Sequence, residues 1–362
     1  MPPIANSLKL TSQLSKFAAV ECKPIPLVTF ARETKTVSAS AQFLKKELPI
    51  RYTHALRSLF VQMHEQKLSK KVSAVSQSFF DNIKELVDAP LDDRFDALLE
   101  KVDASHTAAM QQFSQAVSTM LNQEQLKEQD WHRFFDEFYT VNMSADLLMQ
   151  EHRSLQKYGK NIVQNVSPYE VAKKAVRRAQ MYAIQTYGEP GPTINIINAA
   201  GDVRTLYVEN HLEAIIFQVL KKSIVRSFKT QHGKQNTIKV IIAEGHEDVS
   251  FKISDKAGGI PLSVIPKIWA YTRPAKTSSP TASNIPSTHA LPYSRLMARY
   301  FGGDLEIISM EGYGSDTYLH LFKENEATKI VRDLIPSNTE ILTKKSNSES
   351  NQKWLSFLGL NE

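Results

Sequence analysis

Residues 211 to 226 read HLEAIIFQVLKKSIVR, and this stretch restricts the fold more than any other. Leu212, Ile215, Ile216, Val219 and Leu220 recur at the spacing of one helical face, so the helix must lay an apolar stripe against a core. Gln218, Lys222 and Arg226 follow one another at intervals of four and share a neighbouring face. A polar row along a core-facing helix needs a reason.

The helix belongs to a chain of 362 residues, long enough for two domains with separate cores. The net charge is +6, with Lys, Arg, Asp and Glu interspersed and no long basic block. That pattern fits a solvated surface or a basic patch for an acidic partner, and nucleic acid is not expected. One cysteine, Cys22, excludes an intrachain disulfide and a cysteine-rich metal site, and fits a reducing compartment or the mitochondrial matrix. No apolar run approaches the length of a membrane-spanning helix. The first 20 residues contain Lys9 and Lys16, several hydroxyl residues and no acid, the composition of a mitochondrial targeting segment or of a disordered terminus.

Helical periodicity governs the chain from Ser38 to about Gln185. The string from Gln42 to Arg51, QFLKKELPIR, reads as a helix stopped and restarted at Pro49, which lacks an N–H and clashes with the preceding turn. Tyr52 to Leu68 sets Leu56, Leu59, Phe60 and Met63 on one side, and Ser73 to Val87 does the same with Val75, Phe79, Ile83 and Leu86. After a break at Ala89-Pro90, Arg94 to Leu121 carries Phe95, Leu98, Leu99, Val102, His106 and Met110, and Trp131 to Tyr158 is a fourth long helix. Four such helices with short connections make a bundle. His106 and His152 read as packed or surface residues of bundle helices rather than catalytic groups.

Ser167-Pro168-Tyr-Glu170 combines a capping serine, a proline at the first helical position and an acid at the third. The helix it opens turns Val171, Ala175, Ala179 and Tyr182 inward and ends before Gly188. Thr193 to Ile197 alternates as a strand, Gly201-Asp202 turns it, and Leu206 to Val208 returns. Strands follow at Thr237 to Ala243 and Val249 to Ser254, around the turn Glu244-Gly245-His246. Strands and helices now alternate in an α/β sandwich, with the boundary near residue 165. Asp255-Lys-Ala257-Gly258-Gly259 comes straight after the last of these strands. RPAKTSSPTASN, from Arg273 to Asn284, is a low-complexity loop by composition. PSTHALP at 286–292 leads into SRLMARYFGGDL at 294–305 and SMEGYGSDT at 309–317.

The helix at 211–226, the DKAGG turn and the closing motif at 294–317 together resemble the mitochondrial 2-oxoacid dehydrogenase kinases. Those kinases act on the pyruvate and branched-chain complexes, and their ATP site is of the histidine-kinase/Hsp90/MutL type. QFLKKELPIR and the run from Phe134 to His152 resemble the same family's amino-terminal bundle, so the likeness spans about Ser38 to Phe322. It implies an all-α four-helix bundle at 38–165, then an α/β sandwich of the ATPase type at 166–325. A targeting or disordered segment at 1–37 and a tail at 326–362 would flank them, in a protein of the mitochondrial matrix. By the same resemblance, Asp255 would accept a hydrogen bond from the adenine amino group and Gly259 would let backbone approach the base. Arg226, Thr272, Ser315 and Thr317 would complete the nucleotide-binding set.

The departures from the family pattern fall on the chemistry. Gln218 stands where the family has its base or orienting glutamate, and Lys222 where it has the asparagine that ligates magnesium. Ala257 replaces a glycine, and Pro286, Thr288 and Ala290 replace the three glycines of the phosphate loop. Glu137, Asn142 and Asp146 occupy arginine positions of a helix that in the family lines a pocket for small carboxylates, so 2-oxoacid sensing is not expected. Glutamine cannot take a proton from a substrate serine, and an ammonium cannot ligate magnesium. The resulting expectation is a catalytically inactive family member, a pseudokinase serving as regulator or scaffold. It would hold no resident cofactor, bind ATP weakly if at all, and need no magnesium. The alternatives are an active protein serine kinase acting on the E1 component and a structural subunit of a larger mitochondrial assembly. Partners would be a 2-oxoacid dehydrogenase complex or an active kinase paralogue, in a homo- or heterodimer. Trp354, Leu355, Phe357 and Leu358, beyond the polar spacer at 344–350, are the interface candidates, because a solvated tail has no use for four large apolar groups.

Overall fold

A computed structural model describes residues 12–66, 70–92, 94–122, 128–229, 237–271 and 289–323. A short helical stretch at 12–19 precedes α1 (Leu27–Glu33), α2 (Val37–Gln66), α3 (Lys70–Asp88), α4 (Arg94–Asn122) and α5 (Glu128–Tyr158). Helices α2 to α5 are the four of the expected bundle. The run FFDEFY on α5 explains much of its cohesion: Phe134, Phe135, Phe138 and Tyr139 are all buried, and Phe138 meets Phe113 of α4 with ring centroids 4.4 Å apart. Leu14, Ile25 and Phe30, from the stretch read as a leader or disordered segment, are buried in the same core.

The stop expected at Pro49 does not occur, and α2 runs through it unbroken. Proline inside a helix costs roughly 3 kcal/mol. Against that stand Leu44, Leu48, Tyr52, Leu56 and Leu59, all buried on one stripe that spans the proline. Each contributes about 1.5–3 kcal/mol on burial, so a continuous stripe outweighs the lost bond.

The second half begins at β1 (Val163–Val166), followed by α6 (Pro168–Tyr187), β2 (Thr193–Asn198), β3 (Thr205–Val208), α7 (Glu209–Lys229), β4 (Thr237–Glu244), β5 (Asp248–Asp255), a short 3₁₀ turn (Ile265–Lys267), α8 (Ala290–Tyr300), β6 (Asp304–Met310) and β7 (Gly314–Phe322). Ser167 caps α6, its hydroxyl accepting from the Glu170 N–H at 3.5 Å, and Gly188 ends the helix in the left-handed region at φ 74°. The expected hairpin between β2 and the returning strand is not formed. β2 pairs in parallel with β4, while β3 pairs antiparallel with β1 in a separate two-stranded sheet. Pairing of this kind is settled by which edge is free in three dimensions, and β1 supplies one right at the entry to the domain.

The main sheet has the order β2-β4-β5-β7-β6. Along β5, Val249, Phe251, Ile253 and Asp255 are buried and alternate with half-buried residues, and in the register they face Leu321, Leu319, Thr317 and Ser315 of β7. Helix α7 packs on this sheet through the stripe read from its sequence, with Leu212, Ile215, Ile216, Val219 and Leu220 buried. Helix α8 packs against α7 and also against α5 of the bundle, which joins the two halves. Among the described residues no helix is long and apolar enough to cross a membrane.

Candidate functional site

Asp255 ends the buried row on β5 directly opposite Ser315, beneath the last turns of α7. It is only 4% exposed. Its Oδ2 accepts hydrogen bonds from Ser223 Oγ and Arg226 Nη2, both at 2.7 Å, and its Oδ1 accepts from the Ala257 N–H at 3.1 Å. An ionised carboxylate offers about four lone-pair sites, so these three donors leave room for one more. The cross-strand neighbour Ser315 has a buried hydroxyl with no partner among the described residues, and so does the Arg226 Nε. Asp255, Arg226 and Ser315 are thus brought together, with Thr317 one step further along the same face of β7.

Gly258 and Gly259 follow in the left-handed region, at φ 78° and 69°. A Cβ on Gly259 would lie 2.2 Å from the Met310 carbonyl oxygen and 3.1 Å from that of Gly314. The Gly258 N–H donates to the Tyr313 carbonyl at 3.2 Å, and the Gly312 N–H to the Gly258 carbonyl at 2.9 Å. The glycine pair is therefore demanded by the β6–β7 turn against which it packs, whether or not a ligand is present.

On α7, Gln218 is half-buried and Lys222 exposed, two turns and one turn before Arg226 respectively. This row does not fit a magnesium ion, since its one oxygen donor, the Gln218 amide, shares the row with an ammonium and a guanidinium, which cannot ligate and repel a cation. The Asp255 edge with the Ser315 hydroxyl does fit the donor and acceptor edge of an aminopyrimidine ring.

Thr272, Pro286 and Thr288 lie outside the described residues, as do the loop at 273–284 and the tail residues Trp354, Leu355, Phe357 and Leu358. Ala290 is the first residue of α8, and its carbonyl accepts from Ser294 Oγ. Tyr271 and His289, on either side of that loop, are fastened to α5. His289 Nε2 lies 2.7 Å from the Tyr271 carbonyl, which can only accept, so Nε2 carries the proton and Nδ1 accepts from the Tyr139 hydroxyl at 2.8 Å. The Tyr271 hydroxyl donates to Asp136 at 2.7 Å, one turn before Tyr139. Phe135, Tyr139 and Tyr271 surround the imidazole with centroids 4.8, 5.8 and 5.0 Å away. Burial in this cage pushes the His289 pKa down to about 3.

The bundle positions where the family has arginines carry different chemistry. Glu137 pairs with Arg133 at 2.7 Å, and Asn142 donates to the Phe138 carbonyl at 2.7 Å. Burial, reinforced by the Asp103 charge, raises the Asp146 carboxyl to about 6. His106 and His152 are both buried: burial lowers His106 to about 4, and His152 is held between Ser40 and Asp96 at 3.2 and 3.0 Å. Among the described residues no group of three or more metal-ligating side chains occurs.

Several residues that shape the site had no signal of their own in the sequence. Ser223 is one turn from Arg226 on α7, and only the packing of α7 over β5 shows that both point to one carboxylate. Away from the site, in the bundle, Arg51 of the QFLKKELPIR string is likewise fully buried, bonded to Ser144 at 2.8 Å and ion-paired with Glu47. A single basic residue closing an amphipathic string was the available hint.

Residues 24–176 match the family model described as mitochondrial branched-chain alpha-ketoacid dehydrogenase kinase. The chain is 34% identical over 315 residues to a mitochondrial [pyruvate dehydrogenase (acetyl-transferring)] kinase of Arabidopsis thaliana, covering 78% of this chain and 84% of the relative. It is 28% identical over 344 residues to isozyme 3 of that kinase from Homo sapiens, covering 85% of each. The Drosophila melanogaster kinase is 29% identical over 315 residues, covering 77% of this chain and 76% of the relative.

Proposed function

The chain belongs to the family of mitochondrial pyruvate and branched-chain 2-oxoacid dehydrogenase kinases, and from that premise we propose that it is a non-catalytic member, a regulator or scaffold working in the mitochondrial matrix. The observation that carries this reading is the polar row of α7. Phosphoryl transfer depends on positioning and on neutralising charge with a metal, and here Gln218 has no carboxylate and Lys222 puts an ammonium where the family has the ligating amide oxygen. The tie between Arg226 and Asp255 supports it further, because the guanidinium takes one acceptor position on the carboxylate that would orient a nucleotide base. Glu137, Asn142 and Asp146, standing where the family has arginines, favour a protein that does not respond to 2-oxoacids, since an anion pocket without those cationic donors loses its main source of affinity. Its partner would be a 2-oxoacid dehydrogenase complex or an active kinase of the same family.

Titration calorimetry with ATP, with and without magnesium, tests the reading. Absent or weak binding that ignores the metal is expected, and tight binding that strengthens with magnesium would restore a kinase. Affinity purification from mitochondria tests the partner. Recovery of a 2-oxoacid dehydrogenase complex or a kinase paralogue is expected, and recovery of an unrelated large assembly alone would make the chain a structural subunit.

A further inference from the structure

We infer that Arg226 is an internal occupant of the Asp255 seat, holding the edge that an aminopyrimidine ring would use, and that removing it opens the site to a purine base. The inference rests on the Asp255 cleft being the family's nucleotide seat. A guanidinium and an aminopyrimidine both present planar N–H donors, and a carboxylate takes either. Arg226 shares Oδ2 with Ser223, while the Ala257 N–H holds Oδ1, so among the described residues the guanidinium is the one donor on Asp255 that belongs to a long, swinging side chain.

Two orphaned groups show that the guanidinium fills the seat imperfectly. Among the described residues the Arg226 Nε is buried without a partner, and across the β5–β7 pair so is the Ser315 hydroxyl, which could donate to a ring nitrogen or accept from an amino group. The Arg226 side chain is 23% exposed while that of Asp255 is 1%, so the arginine reaches in from the solvent side and has a way out. The wall behind the seat, Gly258 and Gly259, is held by the β6–β7 turn and does not depend on the arginine. A ligand that must displace a resident side chain binds with an apparent affinity reduced by the fraction of time the seat is open. Removing the occupant restores that factor.

The test is metal-free titration calorimetry of the full chain with adenosine, which carries no phosphate and so leaves the 286–290 segment out of the comparison. Wild type, Arg226→Ala, Arg226→Met and the double variant Arg226→Met with Asp255→Asn are measured, with melting curves for each. Both single variants are expected to bind adenosine at least about tenfold more tightly than wild type, with the gain lost in the double variant. If Arg226→Ala fails to fold, Arg226→Met carries the test, because it keeps the aliphatic stem. Unchanged or weaker binding in the folded single variants would overturn the inference, as would a gain that survives Asp255→Asn. Loss of folding in both single variants would also overturn it, because the arginine would then be a structural pin rather than a removable occupant. Metal-dependent ATP binding by wild type would refute the non-catalytic reading alone and leave this comparison standing.

Discussion

Replacing His289 with phenylalanine tests how the loop-bearing edge of the α/β domain is attached to the bundle. The aromatic cage of Phe135, Tyr139 and Tyr271 accepts another ring, so shape changes little, but two hydrogen bonds disappear. The Tyr139 hydroxyl and the Tyr271 carbonyl are left buried, at about 1–3 kcal/mol each, so His289→Phe should destabilise by roughly 2–6 kcal/mol at pH 7. Acidity makes the prediction sharper. Burial lowers the folded-state pKa of His289 from 6.5 to about 3, so its contribution is complete above 6.5 and is lost as pH falls through that window toward 3. Between pH 7 and pH 5 this linkage removes about 2 kcal/mol from wild type and nothing from the variant, which has no imidazole to protonate. The deficit of His289→Phe should therefore shrink by about 2 kcal/mol at pH 5. Urea unfolding followed by near-ultraviolet circular dichroism at both pH values measures it. A variant as stable as wild type at pH 7, or a deficit that does not change with pH, would refute the buried, neutral, doubly bonded histidine.

Gly259→Ala should lower stability by on the order of 3 kcal/mol, by combining a left-handed backbone with a clash against the Met310 carbonyl. The loss in thermal melting should be equal with and without ATP, because the glycine serves the β6–β7 turn. Asp304 is held below its ordinary pKa because bonds from Arg299 and Arg295 overcome the effect of its burial. Asp304→Asn should thus cost about 2 kcal/mol at pH 7, and less as pH falls through the depressed pKa, in the same urea assay. Deleting residues 354–362 should weaken self- or paralogue association while leaving the domains folded. Size-exclusion chromatography with light scattering would show unchanged oligomeric mass if the tail plays no part.

What could be read from the sequence, and what could not, divides along local and non-local physics. The stripe on α7 and the cap at Ser167 were legible because helical periodicity and capping are decided within a few residues. Pro49 misled because the rule that proline ends a helix is local, whereas the buried stripe on both sides of it acts through the whole bundle. The partner of β3 was illegible for a related reason, since β1 reaches it from beyond α6 and β2. The DKAGG turn shows a motif with two causes: it resembles a ligand-binding element, yet Gly259 is required by the protein's own hairpin. Ser223 and His289 gave no signal because their roles exist only when α7 lies over β5 and α5 meets α8.

The central claim, that the family fold persists here without its chemistry, is tested most directly by offering the purified protein radiolabelled magnesium-ATP together with the E1 component of a pyruvate or branched-chain 2-oxoacid dehydrogenase complex. With Gln218 and Lys222 on the polar row of α7 and Arg226 on Asp255, no label should enter E1 above a reaction lacking the protein. Label on an E1 serine that disappears with Asp255→Ala would contradict the account.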